Sequence, residues 1–174
     1  MRLARGQLQI TASMVKELRD KTGAGVMDAK RALEQSQGDM KKAEEALAEK
    51  GLASAAKKAG RATSEGVVST YIHHGGRVGA MVELNCETDF VARTPEFAEL
   101  ARNVAMQVAA MSPHFVDRES VPADAGEVPD EQLLLEQVYI KDTSQSVGDL
   151  IKQTVAKVGE NIQVRRFARF ELGE

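Results

Sequence analysis

The sequence predicts an α+β fold, in which three short helices precede an antiparallel sheet packed with helices. Apolar residues recur at helical spacing up to residue 51, and from Gly66 onward they alternate with polar residues as in strands. The 174 residues are 43% hydrophobic and 28% charged, which suits a soluble globular protein of one domain, or of one domain with a small appendage. We therefore divide the chain into a three-helix module at 1–51, a helical linker at 52–65 and an α+β core at 66–174.

Residues 11–51 are predicted to form three helices separated by glycines. Thr11 and Ser13 are candidate N-caps of the first helix, because their short side chains can accept hydrogen bonds from free backbone amides. The helices are expected to end at Gly23, Gly38 and Gly51. The second helix begins at Val26 and Met27, and these two side chains could lie either in the small core or on the surface.

The linker at 52–65 is rich in alanine and lysine and has no strong apolar face. This composition is typical of a solvated helical connection between two folded parts. A basic helix that contacts RNA remains the alternative.

From Gly66 the alternating pattern predicts a β-hairpin. The outgoing strand alternates at Val68, Thr70 and Ile72, residues 73–77 supply turn chemistry, and the return strand alternates at Val78, Ala80, Val82 and Leu84. His73 and His74 lie at the tip. Adjacent residues of a strand point to opposite faces, so both could bind one metal ion only with irregular backbone. We expect them to be exposed polar residues of a loop.

Residues 85–93 lie where the apolar return strand gives way to a long amphipathic helix that begins at Pro95. An acid and a β-branched residue flank Phe90 in this segment. Side chains at such a junction can be held rigidly and still point outward, which suits a recognition wedge. Composition and spacing leave two interpretations open, a recognition wedge and a plain strand end.

The rest of the chain predicts further helices and strands. The amphipathic helix is expected to end at Ser112 and Pro113 and to pack across the sheet. Acids, prolines and a glycine indicate an irregular loop at 117–131. We predict a short strand at 133–140, a helix at 146–158 that Gly159 stops, and a closing strand with a bulge at 161–172.

The chain lacks the sequence motifs of common enzymes, which favours a binding protein. It has no G-x-S-x-G, Walker A or G-x-G-x-x-G motif. The single cysteine, Cys86, indicates a reducing compartment and is expected to be an unactivated thiol in an apolar strand. A nucleophile pair of Cys86 with His73 or His74 is the alternative. With one cysteine and three histidines, we expect neither a cofactor nor a metal site.

Charge and hydropathy predict a soluble cytoplasmic protein that contacts neither a membrane nor naked nucleic acid. The formal net charge is −3, which argues against nucleic acid as the main partner. No run approaches the roughly 18 consecutive apolar residues of a membrane span. The basic residues 1–6 are not followed by the apolar segment of a signal peptide.

At 85–92, NCETDFVA, the sequence resembles the elongation factor Ts family, the nucleotide-exchange factors of elongation factor Tu. Four further stretches resemble the family in the same order: ITASMVKELRDKTGAGVMD at 10–28, AKKA at 56–59, YIHHGGRVG at 71–79 and KVGENIQVRR at 157–166. These stretches are spread along the chain from residue 10 to residue 166, so the resemblance is highly specific.

The resemblance implies a guanine-nucleotide exchange factor that binds elongation factor Tu–GDP and disturbs its magnesium and phosphate site. The N-terminal module would be similar to a ubiquitin-associated domain and would dock on the GTPase. Four residues would enter the partner beside its magnesium, with Phe90 as the wedge: Thr88, Asp89, Phe90 and Val91. Further contacts are implied for Arg19, Val26, Met27, His73 and His74, of which His74, directly before Gly75, matches the family better than His73.

Three departures from the family pattern modify this expectation. Val26 stands where the family usually has a methionine, and the segment 117–140 is shorter than the helical hairpin that many members carry there. Long members have two copies of the core, with the Thr-Asp-Phe segment in one copy and the histidine hairpin in the other. This chain has both in a single copy, so we expect a homodimer joined through the sheets.

Two other functions remain as hypotheses. The first is an adaptor that binds proteins through the N-terminal module and has no exchange activity. The second is an RNA-binding protein that uses Arg61, Arg165, Arg166 and Arg169, which predicts steep salt dependence of RNA affinity.

Overall fold

In the computed structural model, which describes residues 10–173, the chain has the predicted α+β fold. The helices are α1 (Ala12–Thr22), α2 (Val26–Gln35), α3 (Met40–Lys58), α4 (Asp89–Ala92), α5 (Pro95–Met111) and α6 (Val147–Val158). The strands are β1 (Glu65–Ile72), β2 (Val78–Cys86), β3 (Val138–Tyr139), β4 (Asp142–Ser146) and β5 (Ile162–Glu171). None of the described helices combines the length and hydrophobicity that crossing a membrane requires. The signal-peptide prediction concerns residues 1–6, which lie outside the described residues.

The chain divides into two compact units, and the first, Met1–Ser54, is built from helices around a small aliphatic core. That core consists of Leu18, Ala29, Ala32, Leu33, Ala43 and Leu47. Thr11 Oγ1 accepts a hydrogen bond from the Met14 amide at 3.2 Å and so caps α1, as predicted. Gly23 ends α1 in the left-handed conformation, also as predicted. The ion pairs Lys21–Glu44 and Lys50–Asp28 join α3 to the other two helices.

The predicted end of the third helix at Gly51 is wrong, because α3 continues to Lys58. A glycine costs only about 1 kcal/mol inside a helix, and the alanines and lysines around it favour helix. The boundary between the two units, after Ser54, therefore falls within α3. The domain divisions at 51 and 65 stay predictions.

In the second unit, Ala55–Glu174, three antiparallel strands form a sheet in the order β1-β2-β5. Strands β1 and β2 are the predicted hairpin, with Tyr71 opposite Ala80 near the tip and Glu65 opposite Cys86 at the other end. Strand β5 pairs with the free edge of β2. The register of this pair shifts between Glu83 and Leu84 of β2, which lie opposite Arg166 and Val164 of β5. The extra residue in β5 confirms the predicted bulge in the closing strand.

The main core lies on one face of this sheet. Helix α5 packs against β1 and β2, as its amphipathic pattern predicted, and buries the inward side chains Ala80, Val82, Leu84 and Cys86. It begins at the cap Thr94 and ends at Ser112, which is left-handed with φ 46°. Helix α6 packs on α5 and β5, and Ser146 and Gly159 bound it where the sequence predicted.

The predicted strand at 133–140 is wrong over most of its length. Leu133 and Leu134 are buried in a turn, and the Leu134 amide donates to Phe115 O at 2.9 Å. Only Val138–Tyr139 is a strand, and it pairs with β4, a polar strand that the sequence pattern missed. A short apolar run fills a core equally well as a turn or as a strand, so its composition did not decide between them.

Candidate partner-binding site

The end of β2 leads into a four-residue helix that carries the predicted wedge residues. Thr88 has extended backbone, and its Oγ1 accepts a hydrogen bond from the Val91 amide at 3.4 Å, so Thr88 is the N-cap of α4. Thr94 caps α5 in the same way. The two caps reorient the chain twice, so α4 stands as a separate turn between the sheet and the long helix. We call residues 88–92 the wedge turn.

Phe90 is 79% exposed although its two C-terminal neighbours are buried. Val91 and Ala92 are 5% and 9% exposed and belong to the main core. One side of α4 is therefore fixed in the core while Phe90 projects into solvent. Burying such an aromatic ring against a partner would release about 1.5–3 kcal/mol. This geometry suits a recognition wedge, and it gives Val91 a role inside the fold instead of at the surface.

Asp89, which follows Thr88 in the wedge turn, carries an exposed carboxylate. Its Oδ2 lies 2.9 Å from Nη2 of Arg93, and both side chains are exposed. Exposed ion pairs of this kind contribute at most about 1 kcal/mol. A partner can therefore displace Arg93 from Asp89 at small free-energy cost.

Thr88 is held by residues on both sides of the turn. Its amide and its hydroxyl both donate to the carboxylate of Glu160, at 3.0 and 2.7 Å. The buried thiol of Cys86 donates to Thr88 O at 3.1 Å. The sequence patterns do not single out Glu160, which lies between a helix end and a strand start. The available signal was its place in the stretch 157–166 that resembles the family.

The environment of Cys86 agrees with the prediction of an unactivated thiol. Burial raises the pKa of this thiol, and the nearby carboxylate of Glu160 adds to the rise. Cys86 lies at one end of the hairpin, whereas His73 and His74 follow its other end. At about 3.3 Å per strand residue, more than about 20 Å separates them. The alternative of a cysteine–histidine nucleophile pair is therefore wrong.

His73 and His74 lie at the exposed hairpin tip, as predicted. The backbone of His73 closes the turn, because its amide donates to Val78 O at 2.8 Å and its carbonyl accepts from the Gly76 amide at 2.9 Å. Its Nδ1 lies 3.1 Å from the Tyr71 hydroxyl. The His74 side chain makes no hydrogen bond or ion pair with the residues that the structure describes. Residues 10–173 contain no group of three or more potential metal ligands.

The structure brings Thr88, Asp89, Phe90 and Val91 together but keeps them far from the two histidines. Strand β2 separates the groups and has nine residues. A strand of this length spans about 30 Å. The wedge turn and the hairpin tip are therefore two separate surfaces of the second unit.

In the first unit, the predicted contact residues flank the turn between α1 and α2. Val26 and Met27 begin α2 and are 52% and 65% exposed, so they lie on the surface and not in the core. Arg19 is exposed in the last turn of α1, and its carbonyl accepts the Gly23 amide at 2.8 Å. These three side chains place apolar area and a positive charge around one tight turn.

The face of the sheet opposite α5 is uncovered within the described residues, and we call it the open face. It presents four large exposed apolar side chains, from all three strands: Val68, Ile72, Met81 and Phe170. Two shallow grooves follow it, and Met81 lines both. One polar pair crosses it, from Arg166 Nε to Glu83 Oε2 at 2.7 Å. The hydrogen bond from Arg166 lowers the pKa of Glu83.

Three of the four arginines of the RNA hypothesis are paired with carboxylates. Arg61 lies 3.4 Å from Glu87, Arg166 contacts Glu83, and the guanidinium of Arg169 contacts Glu171. Their positive charge is compensated within the fold. This arrangement weighs against a basic RNA-binding surface.

Comparison with known proteins supplies the context for these surfaces. The family model described as Elongation factor TS matches residues 9–131. Elongation factor Ts of Carboxydothermus hydrogenoformans is 52% identical over 195 aligned positions, which cover 95% of this chain and 90% of that protein. The Syntrophomonas wolfei protein is 50% identical over 195 positions, covering 95% of this chain and 91% of its own length. That of Fervidobacterium nodosum is 49% identical over 197 positions, covering 96% and 100%.

Proposed function

This chain belongs to the elongation factor Ts family of translation elongation factors, and we propose that it is a guanine-nucleotide exchange factor that binds elongation factor Tu–GDP. The observation that carries the proposal is the wedge turn, in which Phe90 is 79% exposed on a helix whose other side is buried. An exposed aromatic side chain on a fixed support can enter a partner without a large loss of conformational entropy. The factor would act in the cytoplasm, where translation elongation takes place.

The exchange needs no chemistry from this chain. In the partner, Mg²⁺ bridges the nucleotide phosphates and neutralises their charge, so disturbing its ligands weakens GDP binding. Phe90 would separate elements of the partner, and the Asp89 carboxylate would act beside the magnesium. The coupling is reciprocal, because the factor weakens nucleotide binding by the same ratio by which nucleotide weakens the binding of the factor.

Phe90 alone cannot supply the required free energy. A change of about 10⁴-fold in nucleotide affinity needs roughly 5.5 kcal/mol of differential binding. One buried phenylalanine contributes about 1.5–3 kcal/mol. We propose that Arg19, Val26 and Met27 of the first unit form a second anchor on the GTPase. Their exposure around one turn supports this role.

We further propose that two copies of the chain pair through their open faces. Four exposed large apolar side chains on one sheet face are what an isologous dimer would bury. Because the wedge turn and the hairpin tip lie at opposite ends of β2, antiparallel pairing would bring the tip of one copy toward the wedge turn of the other. His73 and His74 of the second copy could then contact the same GTPase molecule.

The exchange function is tested by the release of fluorescent GDP from purified elongation factor Tu. Wild-type protein should accelerate release, and Phe90→Ala combined with Asp89→Ala should abolish most of the acceleration. Met111→Ala serves as the control, since Met111 is also a large exposed apolar residue but lies at the end of α5. Unchanged release with the double variant would refute the wedge assignment.

The dimer is tested by sedimentation at micromolar concentration. The wild type should have twice the chain mass of 18.9 kDa, and Met81→Lys in the centre of the open face should have the mass of one chain. Met111→Lys adds the same charge outside that face and should stay dimeric. A monomeric wild type would contradict the proposal.

The adaptor hypothesis remains the second candidate, because the first unit has its own core and the exposed pair Val26–Met27. It predicts that a variant lacking residues 1–54 loses all binding to elongation factor Tu, and that the wild type binds without accelerating GDP release. The exchange hypothesis predicts that this variant binds elongation factor Tu more weakly than the wild type does. At a high concentration of the variant, GDP release should still be faster than in the absence of any factor.

A further inference from the structure

The ladder between β2 and β5 ends in an unusual way just before the wedge turn. Its last pair is Cys86 opposite Ile162. Beyond that pair, two carboxylates take the place of backbone carbonyls as acceptors. Glu160 accepts the Thr88 amide at 3.0 Å, and Glu87 accepts the Asn161 amide at 2.7 Å. Each strand end thus holds the other through a glutamate side chain.

The two glutamates form a reciprocal clasp, which we define as Glu87 with Asn161 and Glu160 with Thr88. Hydrogen bonds to ionised carboxylates are about twice as strong as neutral ones. Glu160 makes two of them to the same residue, since it also accepts the Thr88 hydroxyl at 2.7 Å. The clasp joins segments more than seventy residues apart in sequence.

One member of the clasp, Asn161, is buried and held by further hydrogen bonds. Asn161 is only 3% exposed, and its side-chain amide donates to Ala59 O at 3.1 Å and to Arg61 O at 2.8 Å. Gly159, left-handed with φ 82°, ends α6 directly before Glu160. This turn directs the chain so that Glu160 faces Thr88 and Asn161 faces inward.

A four-residue helix such as α4 has little stability of its own, because helix nucleation is unfavourable. Its start is defined by Thr88, whose carbonyl accepts the Ala92 amide at 3.2 Å and whose hydroxyl accepts the Val91 amide at 3.4 Å. Fixing Thr88 therefore fixes the orientation of α4. The direction in which Phe90 projects follows from that orientation.

We propose that Glu160 is a positioning residue of the exchange reaction, which together with Glu87 clasps the wedge turn to the start of β5 and keeps Phe90 aimed at the partner. This role rests on the proposed exchange function. Without the clasp the wedge turn would still carry Phe90. The turn would then have to become ordered during exchange, and this would lower the maximum rate of GDP release.

The first measurement uses the free chain and does not depend on the partner. In Glu160→Ala, amide hydrogen exchange at Val91 and Ala92 should be at least about tenfold faster than in the wild type, because a bidentate charged acceptor is lost. The Val82 and Leu84 amides of the central strand should keep their wild-type rates. Equal protection of α4 in both proteins would overturn the inference.

The second measurement is GDP release as a function of factor concentration. Glu160→Ala should lower the maximum rate about tenfold and change the half-saturating concentration little, since the anchor in the first unit is intact. Glu160→Gln can still accept the Thr88 amide, and its own amide can donate to the hydroxyl, so it should recover part of the rate. Glu136→Ala, which removes an exposed carboxylate outside the clasp, should behave as wild type.

The outcomes separate this inference from the function on which it rests. If Phe90→Ala slows GDP release and Glu160→Ala does not, the inference is wrong and the proposed function stands. If the wild type fails to accelerate release, the proposed function is wrong, and hydrogen exchange at α4 still decides whether Glu160 holds the turn. A Glu160→Ala protein with unprotected amides throughout β2 would show a folding defect and would overturn the positioning role.

Discussion

The wedge turn and the hairpin tip project from opposite ends of β2, but they are held in different ways. The wedge turn is fixed by contacts distant in sequence, from Glu160 to Thr88 and from Val91 into the core. The tip at 73–77 is closed mainly by short-range hydrogen bonds, such as that from the Gly76 amide to His73 O at 2.9 Å, and the Leu172 amide adds a distant contact to Arg77 O at 2.9 Å at its end. Short-range contacts without buried side chains open at low free-energy cost. The wedge turn should therefore keep its shape against a partner, while the tip should adapt to one.

The first prediction has the largest expected effect, and it compares a glycine-to-alanine substitution at the two ends of the hairpin. A Cβ at Gly66, opposite Asn85 near the wedge turn, would lie 2.2 Å from Leu84 O, whereas a Cβ at Gly75 in the tip would meet open space. We expect Gly66→Ala to lower the free energy of unfolding by about 3 kcal/mol through overpacking. Gly75→Ala should cost only the left-handed backbone, about 1–2 kcal/mol.

Urea unfolding followed by tyrosine fluorescence measures this difference. Tyr71 and Tyr139 are the two tyrosines of the chain, and both lie in the second unit, so the signal reports that unit alone. Equal losses in the two variants would mean that the end near the wedge turn is no more tightly packed than the tip.

The second prediction uses the thiol beneath the wedge turn. Burial raises the pKa of Cys86 above its usual 9.0. Below that pH the thiol is neutral in the folded and in the unfolded state, so its contribution to the free energy of unfolding is constant. As the pH rises past it, the unfolded thiol ionises first, so folding stability falls until the folded pKa is reached. The free energy of unfolding of wild type should thus decline relative to Cys86→Ala, by up to about 1.4 kcal/mol per pH unit.

Unfolding curves of both proteins from neutral pH to about pH 10 provide the measurement. Met111→Ala, which replaces a side chain without a titrating group at the end of α5, is the control and should follow the wild-type pH dependence over this alkaline range. A constant difference between wild type and Cys86→Ala would show that the thiol ionises equally in the folded and unfolded states.

The elements that the sequence predicted well are those whose signals are local. Turn-forming residues and periodicity place α5 and α6, because Pro95, Ser146 and Gly159 act within one helical turn. The hairpin follows from alternation and turn residues in the same way. The end of α3 was missed because one glycine signal competed with a helix-favouring neighbourhood, and the neighbourhood prevailed.

The parts that could not be predicted depend on pairings across the fold. Both faces of β1 carry apolar residues, Val67 and Tyr71 inward and Val68 and Ile72 outward, so alternation alone does not say which face is buried. The hydrogen bonds between Glu160 and Thr88 join residues 72 positions apart, and neither residue type predicts this pairing. The residue pattern of 85–93 left a wedge and a strand end open, and the family resemblance favoured the wedge. The support of these residues became visible only in three dimensions.

The third prediction concerns the two histidines of the tip. His74→Ala should leave the free energy of unfolding within about 0.5 kcal/mol of wild type, because the side chain is exposed and makes no polar contact among the described residues. If it contacts the partner from the second copy, GDP release should slow about fivefold, the worth of one hydrogen bond of about 1 kcal/mol. His73→Ala, which removes the contact with Tyr71, should have the smaller effect on release. The opposite ranking would assign the contact to His73.

The smallest expected effect lies on the surface of the wedge turn. Arg93→Ala removes the exposed ion pair with Asp89 and should change the free energy of unfolding by less than about 0.5 kcal/mol. Lys152→Ala, which breaks the similar exposed pair with Asp149 on α6, is the matched control and should change it as little. Because the partner must displace Arg93 to reach the Asp89 carboxylate, GDP release by Arg93→Ala should be equal to wild type or slightly faster. A marked slowing would mean that Arg93 itself binds the partner, and that the exposed surface of the wedge turn is wider than Asp89 and Phe90.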